Sequence, residues 1–163
     1  MQGEKTMAKT EFHVVPGKQE ITMIRVFDAP RDLVFKTAND PKLLPKWWGP
    51  RRLTTHVETM DVRPGGSWRF VQREPDGGEF AFHGVYHEVV APERVVQTFE
   101  FEGVPGHVAL STVRFEDIGG GKTRLVQQDV FQSVEDRDGM MQSGMQSGAE
   151  ETMDRLAELL VRA

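Results

Sequence analysis

The most informative part of this sequence runs DVRPGGSWRF (61–70), EFAFHGVYHEVV (79–90) and APERVVQTFEF (91–101). Apolar and polar residues alternate in each stretch, which is the period of a β-strand with one buried face. Proline, glycine and aspartate separate the stretches, and these residues favour tight turns. Strands joined by such short turns run antiparallel, because parallel neighbours need a longer crossover.

The same period recurs through the middle of the chain and predicts six consecutive strands. They are expected near residues 53–60, 66–73, 79–90, 94–101, 108–116 and 123–131. A further strand is expected over 19–27, followed by two short helices, one over 31–38 and a very short one after Pro41. We expect residues 1–18 to form a loose tail or an extra strand, with the first ten loose, and residues 19–163 to form a single domain.

Helical spacing takes over at Ser133, where Ser133 and Asp136 resemble a capping box. It predicts one helix of about 27 residues that runs to the end of the chain. The repeat MQSGMQSG (141–148) places two glycines one turn apart in this helix. Glycine there costs about 1 kcal/mol relative to alanine. The repeat therefore indicates close approach to the sheet, volume left for a guest molecule, or a dimer contact. The apolar stripe consists of Met141, Met145, Ala149, Thr152, Leu156 and Leu160.

Composition excludes several classes of protein. The 163 residues include no cysteine, so disulfides and thiolate metal sites are excluded. With 20 basic and 25 acidic residues the formal charge is -5, which argues against a nucleic-acid partner. No apolar run approaches the roughly 20 residues that span a bilayer, and the N-terminus lacks the apolar core of a secretion signal. A cytoplasmic location is expected, and no cofactor is expected.

Five segments of the sequence resemble a known family. They are FDAPRDLVF (27–35), DPKLLPKWWGP (40–50), DVRPGGSWRF (61–70), GVYHEVVAPERVVQTFEF (84–101) and the closing segment from residue 133. They resemble the START-like, or Bet v 1-like (SRPBCC), superfamily. More closely, they resemble its bacterial branch named after the C-terminal domain of the Hsp90 ATPase activator. The resemblance covers about residues 19–163.

This resemblance implies an α+β helix-grip fold. A curved antiparallel sheet of six to seven strands would wrap around a long C-terminal helix, with two short helices after the first strand and a deep cavity between sheet and helix. Relatives in the superfamily include lipid carriers, polyketide cyclases, hormone receptors and a chaperone activator, so the fold does not imply one activity.

Large apolar side chains are predicted to line that cavity. Two adjacent tryptophans, Trp47 and Trp48, cannot share one face, so they indicate either core closure or a lid over the cavity. For the strand aromatics and the helix methionines, plain core packing is the alternative to a ligand pocket. The expected ligand-binding residues are Trp47, Trp48, Trp68, Phe70, Phe80, Phe82, Tyr86, Phe99, Phe101, Met141 and Met145.

The polar candidates carry weaker signals, and no catalytic residue is assigned. Tyr86 and Asp129 are candidates for acid–base chemistry, as are Asp61, next to a turn, and Glu88. Asp61 is also placed to form a turn hydrogen bond, and Glu88 shares the face of Tyr86 only if that strand is regular. A bulge or a strand end would turn Glu88 toward water. Glu88 and His107 are kept as polar cavity groups, although His107 lies in a glycine-flanked loop where exposure is the alternative.

The histidines do not predict a metal site. His83 and His87 are four residues apart, but on a strand, where that spacing separates them by about 13 Å. One zinc ion cannot bridge that distance. No metal is therefore expected.

Three functions are compatible with the sequence. The first is a carrier or sensor for a small hydrophobic molecule, with no assigned reaction. The second is an enzyme of cyclase, dehydratase or hydrolase type acting on an apolar substrate. The third is a co-chaperone-like module acting on an Hsp90 homologue, and it ranks last, so a chaperone partner is not expected. A homodimer stays open as an alternative.

Overall fold

The computed structural model describes residues 9–162. The strands expected from the alternation all occur, and their bounds differ from the predicted ones by three residues at most. Within this range the elements are β1 (Glu11–His13), β2 (Glu20–Phe27), α1 (Arg31–Ala38), a 3₁₀ turn (Leu44–Lys46), β3 (Thr54–Met60), β4 (Ser67–Arg73), β5 (Glu79–Val90), β6 (Arg94–Phe101), β7 (Val108–Gly119), β8 (Lys122–Val130), α2 (Val134–Gln142) and α3 (Met145–Val161).

These strands form one antiparallel sheet in the order β1-β2-β8-β7-β6-β5-β4-β3. From β3 to β8 the order follows the chain, because short turns connect successive strands. The segment with α1 and the 3₁₀ turn carries the chain from β2 to the opposite edge. Register shifts between Val57 and Thr59 and between Tyr86 and Glu88 mark bulges, which bend a sheet. The α+β fold class with a curved antiparallel sheet is confirmed, and β1 adds an eighth strand.

The N-terminal segment joins the fold earlier than the sequence predicted. Residues 1–8 of the expected loose tail lie outside the described residues. Thr10 is only 8% exposed, and its hydroxyl accepts a hydrogen bond from Arg25 Nη1 at 3.0 Å. β1 then pairs with β2, so Glu11–His13 form the expected extra strand and not a tail.

Proline residues shape the connection between β2 and β3. Pro30 occupies the N-cap position of α1 with φ of -68°, the value its ring imposes. The backbone N–H and the side-chain amide of Asn39 both donate to the carbonyl of Phe35, which ends the helix. The very short second helix is confirmed as the 3₁₀ turn Leu44–Lys46, and Trp47 and Trp48 follow it directly.

The predicted uninterrupted helix of about 27 residues is wrong, since α2 and the 17-residue α3 are separate helices. Gly144 lies between them with φ of 84°, in the left-handed region that glycine adopts without steric cost. The spacing of Met141 and Met145 therefore spans a helix break. The cap at Ser133 is confirmed, because its Oγ accepts from the backbone N–H of Asp136 at 3.0 Å. The Asp136 carboxylate contacts His107, so the reciprocal half of a capping box is not made.

Two apolar clusters cover one face of the sheet, which we call the inner face. The main cluster contains Met153, Leu156 and Leu160 of α3, packed among strand residues such as Trp68 and Tyr86. The second cluster lies toward α2 and is smaller. It consists of Ile21, Ala109 and Phe131, with the half-buried Phe12, Val14, Met140, Met141 and Met145 packed against it.

Candidate functional site

Aromatic side chains form a contiguous group on the inner face of β4, β5 and β6. The Trp48 ring meets Phe70 edge to face at 5.0 Å between centroids and meets Phe82 at 5.3 Å. Phe82 in turn contacts Phe99 at 5.5 Å. The same network extends to Trp68, Phe101 and Phe80. The structure thus brings together most of the aromatic residues singled out in the sequence, although they come from three strands and one loop.

Burial divides the predicted ligand-binding residues into two sets. The first set is buried and belongs to the packed core; it comprises Trp47, Trp68, Phe70 and Tyr86. The second set is half-buried and keeps accessible surface; it comprises Trp48, Phe80, Phe82, Phe99, Phe101, Met141 and Met145. The two adjacent tryptophans occupy different environments, as expected: Trp47 is buried in the core, and Trp48 is half-buried against the aromatic group.

The methionines do not join the aromatic group. Met141 and Met145 pack in the second cluster, against Ile21, Ala109 and Phe131. The glycines of the repeat do not approach the sheet closely either, since a Cβ at Gly144 or Gly148 would have no heavy atom within 4 Å. Of the alternatives drawn from this repeat, close backbone approach is therefore wrong.

A row of polar residues crosses the inner face between the two clusters. In the cross-strand register Tyr86 pairs with Gln97, Gln97 with Ser111, and Ser111 with Asp129. Gln127 precedes Asp129 on the same side of β8, and its Nε2 donates to both carboxyl oxygens, at 3.2 and 3.3 Å. Beyond Asp129, the next residue in register is the apolar Ile21 of β2, which belongs to the second cluster.

Sequence reasoning missed most of this row. Asp129 and Tyr86 were singled out, whereas Gln97, Ser111 and Gln127 were not. The available signal was the alternation itself, because these polar residues occupy positions where the inner face of a packed strand would carry apolar ones.

The carboxyl of Asp129 is in an unusual environment. Burial raises its pKa above the ordinary value, and hydrogen bonding by Ser111 and Gln127 acts in the opposite direction. The residue nevertheless keeps some accessible surface. At the other end of the row, burial and the nearby charge of Asp61 raise the pKa of Tyr86. In both cases the environment disfavours the ionised form relative to the same group in water.

The substitution Asp129→Asn should stabilise the free protein at neutral pH. Because the folded state holds the Asp129 proton more tightly than the unfolded chain, the free energy of unfolding falls as pH rises from the ordinary pKa of 3.8 toward the raised value. The amide of the variant does not ionise, so that loss disappears. We expect a gain of about 1 kcal/mol at pH 7, or about 2–4 °C in melting temperature. Thermal melts of both proteins from pH 3 to pH 8 should show curves that diverge as pH rises, and parallel curves would contradict this account.

The other polar candidates lie outside the inner-face row. The bulge after Tyr86 turns Glu88 outward, where it accepts from Arg94 Nε at 2.7 Å. The expectation that Glu88 faces the cavity is therefore corrected by the strand irregularity. His107 is exposed and its Nδ1 lies 2.9 Å from Asp136. The Asp61 carboxylate accepts from Arg63 Nε at 2.8 Å, so it forms a structural ion pair with the arginine two residues on.

α3 holds the loop that carries the two tryptophans. The Arg155 guanidinium donates to the carbonyl of Gly49 at 2.8 Å and to that of Lys46 at 3.0 Å. Glu158 accepts from the Arg51 side chain, and Glu151 accepts from the Arg51 backbone N–H at 2.9 Å. The position of Trp48 over the aromatic group is thus coupled to the position of α3.

Two surface clefts flank α1. One, of about 690 Å³, lies between α1 and the β5–β6 turn. The other, of about 750 Å³, lies between α1 and α3 and carries several basic side chains. Both are open to solvent, and neither is lined by a predicted ligand-binding residue. The inner face is the better candidate, because aromatic and polar groups converge there.

Metal-ligand side chains and long apolar helices are the remaining features of interest in the described residues. Within residues 9–162, no three His, Cys, Asp or Glu side chains lie close enough together to hold a metal ion. His83 instead contacts Glu102 at 2.9 Å and Glu100 at 3.3 Å. In the same part of the chain, no helix is both long enough and apolar enough to cross a bilayer.

Comparison with known proteins identifies the family. The model of the family described as Activator of Hsp90 ATPase homolog 1-like protein matches residues 28–161. The chain belongs to this family. The Hsp90-activator-like family and its fold support a ligand-binding or co-chaperone-like domain. No curated protein matches the chain.

Solved structures share the fold of this Hsp90-activator-like chain. A protein from Rhodobacter sphaeroides is 23% identical with a TM-score of 0.87, over 95% of this chain and 99% of its own. A protein from Arthrobacter aurescens is 24% identical with a TM-score of 0.86, over 94% and 92%. The AHSA1 protein from Silicibacter pomeroyi is 21% identical with a TM-score of 0.73, over 88% and 99%. The resemblance seen in the sequence is thereby confirmed for family and fold.

Proposed function

We propose that this protein binds a small hydrophobic molecule on the inner face, between the main and second clusters, as a carrier or sensor. One observation carries the proposal: half-buried aromatic rings adjoin an interior row of polar residues that lies between the buried residues of the two clusters. A side-chain packing that served stability alone would bury those rings. It would also avoid interior polar groups, because each one left unsatisfied costs about 1–3 kcal/mol.

Val113→Phe should block binding by adding a large side chain to the inner face beside the polar row. Val113 is half-buried on the inner face of β7, where it pairs with Val95 and Gln127. We expect the affinity for the neutral dye Nile red, measured by fluorescence titration, to fall at least about tenfold. Leu110→Phe is the matched control, because Leu110 lies on the opposite face of the same strand and is 44% exposed. It should leave the affinity unchanged.

Both variants must show the cooperative thermal melting of the parent protein. Should Val113→Phe fail to fold, Phe99→Ala provides the second measurement, since it removes a half-buried ring from the aromatic group and should also alter dye affinity. Equal dye binding by the parent, the inner-face variants and the Leu110 variant would overturn the proposal.

An acid–base enzyme is the second candidate. It is favoured by the row that links Asp129 to Tyr86, two ionisable groups with raised pKa values in one interior site. For this candidate, Asp129→Asn should abolish turnover of a bound substrate while a neutral ligand still binds. The homodimer remains a prediction, which sedimentation velocity would test.

A further inference from the structure

Within the described residues, the carboxyl of Asp129 makes no ion pair, whereas the buried Arg25 and Arg137 each pair with an aspartate. Burial and two neutral side chains, Ser111 and Gln127, account for its environment, and no charged group contributes. Every other member of its row is also neutral. A carboxyl in such a setting is poorly compensated when it ionises.

Both buried cations of the described residues already have partners. Arg25 donates to Asp154 at 2.8 Å and to Thr10 at 3.0 Å. Arg137, under α2, donates to Asp138 at 2.9 Å and to the backbone carbonyls of Val15 and Glu20. Within the described residues, neither buried arginine is left to pair with Asp129, so a cationic ligand would supply the missing counter-charge.

The hydrogen bonds around Asp129 also favour a donor. Gln127 Nε2 donates to both carboxyl oxygens, so Asp129 already acts as an acceptor and its remaining lone pairs suit further N–H groups. Charge-assisted hydrogen bonds of this kind are about twice as strong as neutral ones. An anionic ligand group would instead be repelled.

Apolar surface lies on the same face of the sheet as Asp129. Phe99 and Gln97 share one side of β6, and Gln97 belongs to the row that contains Asp129. Of the rings in the aromatic group, Phe99 is thus the one that the strand register places beside this row. A molecule with a polar head at Asp129 would extend its apolar part toward Phe99.

We propose that the ligand of the inner face is a hydrophobic amine, whose ammonium group pairs with Asp129 and whose apolar body extends toward Phe99. This inference rests on the proposed function and names the class of molecule that the same site takes.

Matched probes test the inference. Isothermal titration calorimetry at pH 7 would compare 3-phenylpropylamine, 3-phenylpropan-1-ol, 4-phenylbutan-2-one and 3-phenylpropanoate, which share an aromatic body and differ in the head group. We expect the amine to bind at least about tenfold more tightly than the alcohol or the ketone, and the carboxylate to bind most weakly. Asp129→Asn should reduce the amine affinity to that of the alcohol. Asp28→Asn, an equal charge change at an exposed position, should leave the amine preference intact.

The outcomes separate the two proposals. Nile red binding that Val113→Phe blocks, combined with equal affinities for amine and alcohol, would overturn the amine inference and leave the hydrophobic site standing. Preference for the ketone would also overturn it, because Asp129 would then act as a neutral donor. Failure of Nile red and of all four probes to bind would overturn both.

Discussion

Gly84→Ala should lower the free energy of unfolding by at least about 3 kcal/mol. Gly84 is buried in β5, and a Cβ there would overlap the carbonyl oxygen of Thr98 in β6 and lie 2.6 Å from Trp68 Nε1. The strand backbone cannot withdraw without breaking its pairing, and the Trp68 ring is only 1% exposed. Urea unfolding monitored by circular dichroism would measure the loss.

The matched control is Gly148→Ala in α3. A Cβ at Gly148 meets no heavy atom within 4 Å, so the change brings only the higher helix propensity of alanine, a gain of about 0.5–1 kcal/mol. The two substitutions add the same methyl group and should shift stability in opposite directions. A Gly84 variant as stable as the parent would contradict the close approach of β5 to β6, and a destabilised Gly148 variant would contradict the open space beside α3.

Asp154→Ala should cost about 2 kcal/mol of stability, less than the loss of a fully buried partner, because the Asp154 side chain is 34% exposed. Arg25 is 1% exposed, and its guanidinium is held by Asp154 at 2.8 Å and by Thr10 at 3.0 Å. Loss of the carboxylate leaves a cation in the interior without its counter-charge. The pair connects α3 to β2, so its loss should destabilise the whole domain. Urea unfolding of the full chain would measure the decrease in the free energy of unfolding.

Glu158→Ala is the control for this experiment. Glu158 pairs with Arg51 on the surface, where the side chains are 40% and 51% exposed, so its removal should cost less than about 1 kcal/mol. A double variant, Arg25→Met with Asp154→Leu, removes both charges and should recover most of the loss. Equal effects of Asp154→Ala and Glu158→Ala would show that burial does not strengthen the Arg25 pair.

The strands were predictable because their signals are local. Alternation over 79–90 and 94–101 requires only neighbouring residues, and the turns between strands follow from proline and glycine. The end of α2 was not predicted, because Met141 and Met145 keep helical spacing across the break. Gly144 could have been a helix interior or a left-handed terminus, and periodicity does not distinguish the two.

The candidate site was only partly predictable. Aromatic residues on alternating positions indicated a shared face, and Trp48, Phe82 and Phe99 do meet. Which rings stay accessible depends on how α3 and the tryptophan loop cover them, and Arg155 and Glu158 help to set that position through contacts far apart in the chain. The outward turn of Glu88 required a bulge, which is a property of the paired strands.

By itself the sequence determined the succession of strands β2 to β8 along the chain, the apolar character of one sheet face and the family, since these depend on residue type and spacing along the chain. Only the tertiary structure decided that Asp129 stands in one row with Ser111, Gln97 and Tyr86. The reason is physical: pairing between strands aligns residues that are distant in sequence, and the low polarity of the interior then changes the pKa of the groups it encloses. A one-residue change in register would move each of these side chains to the opposite face.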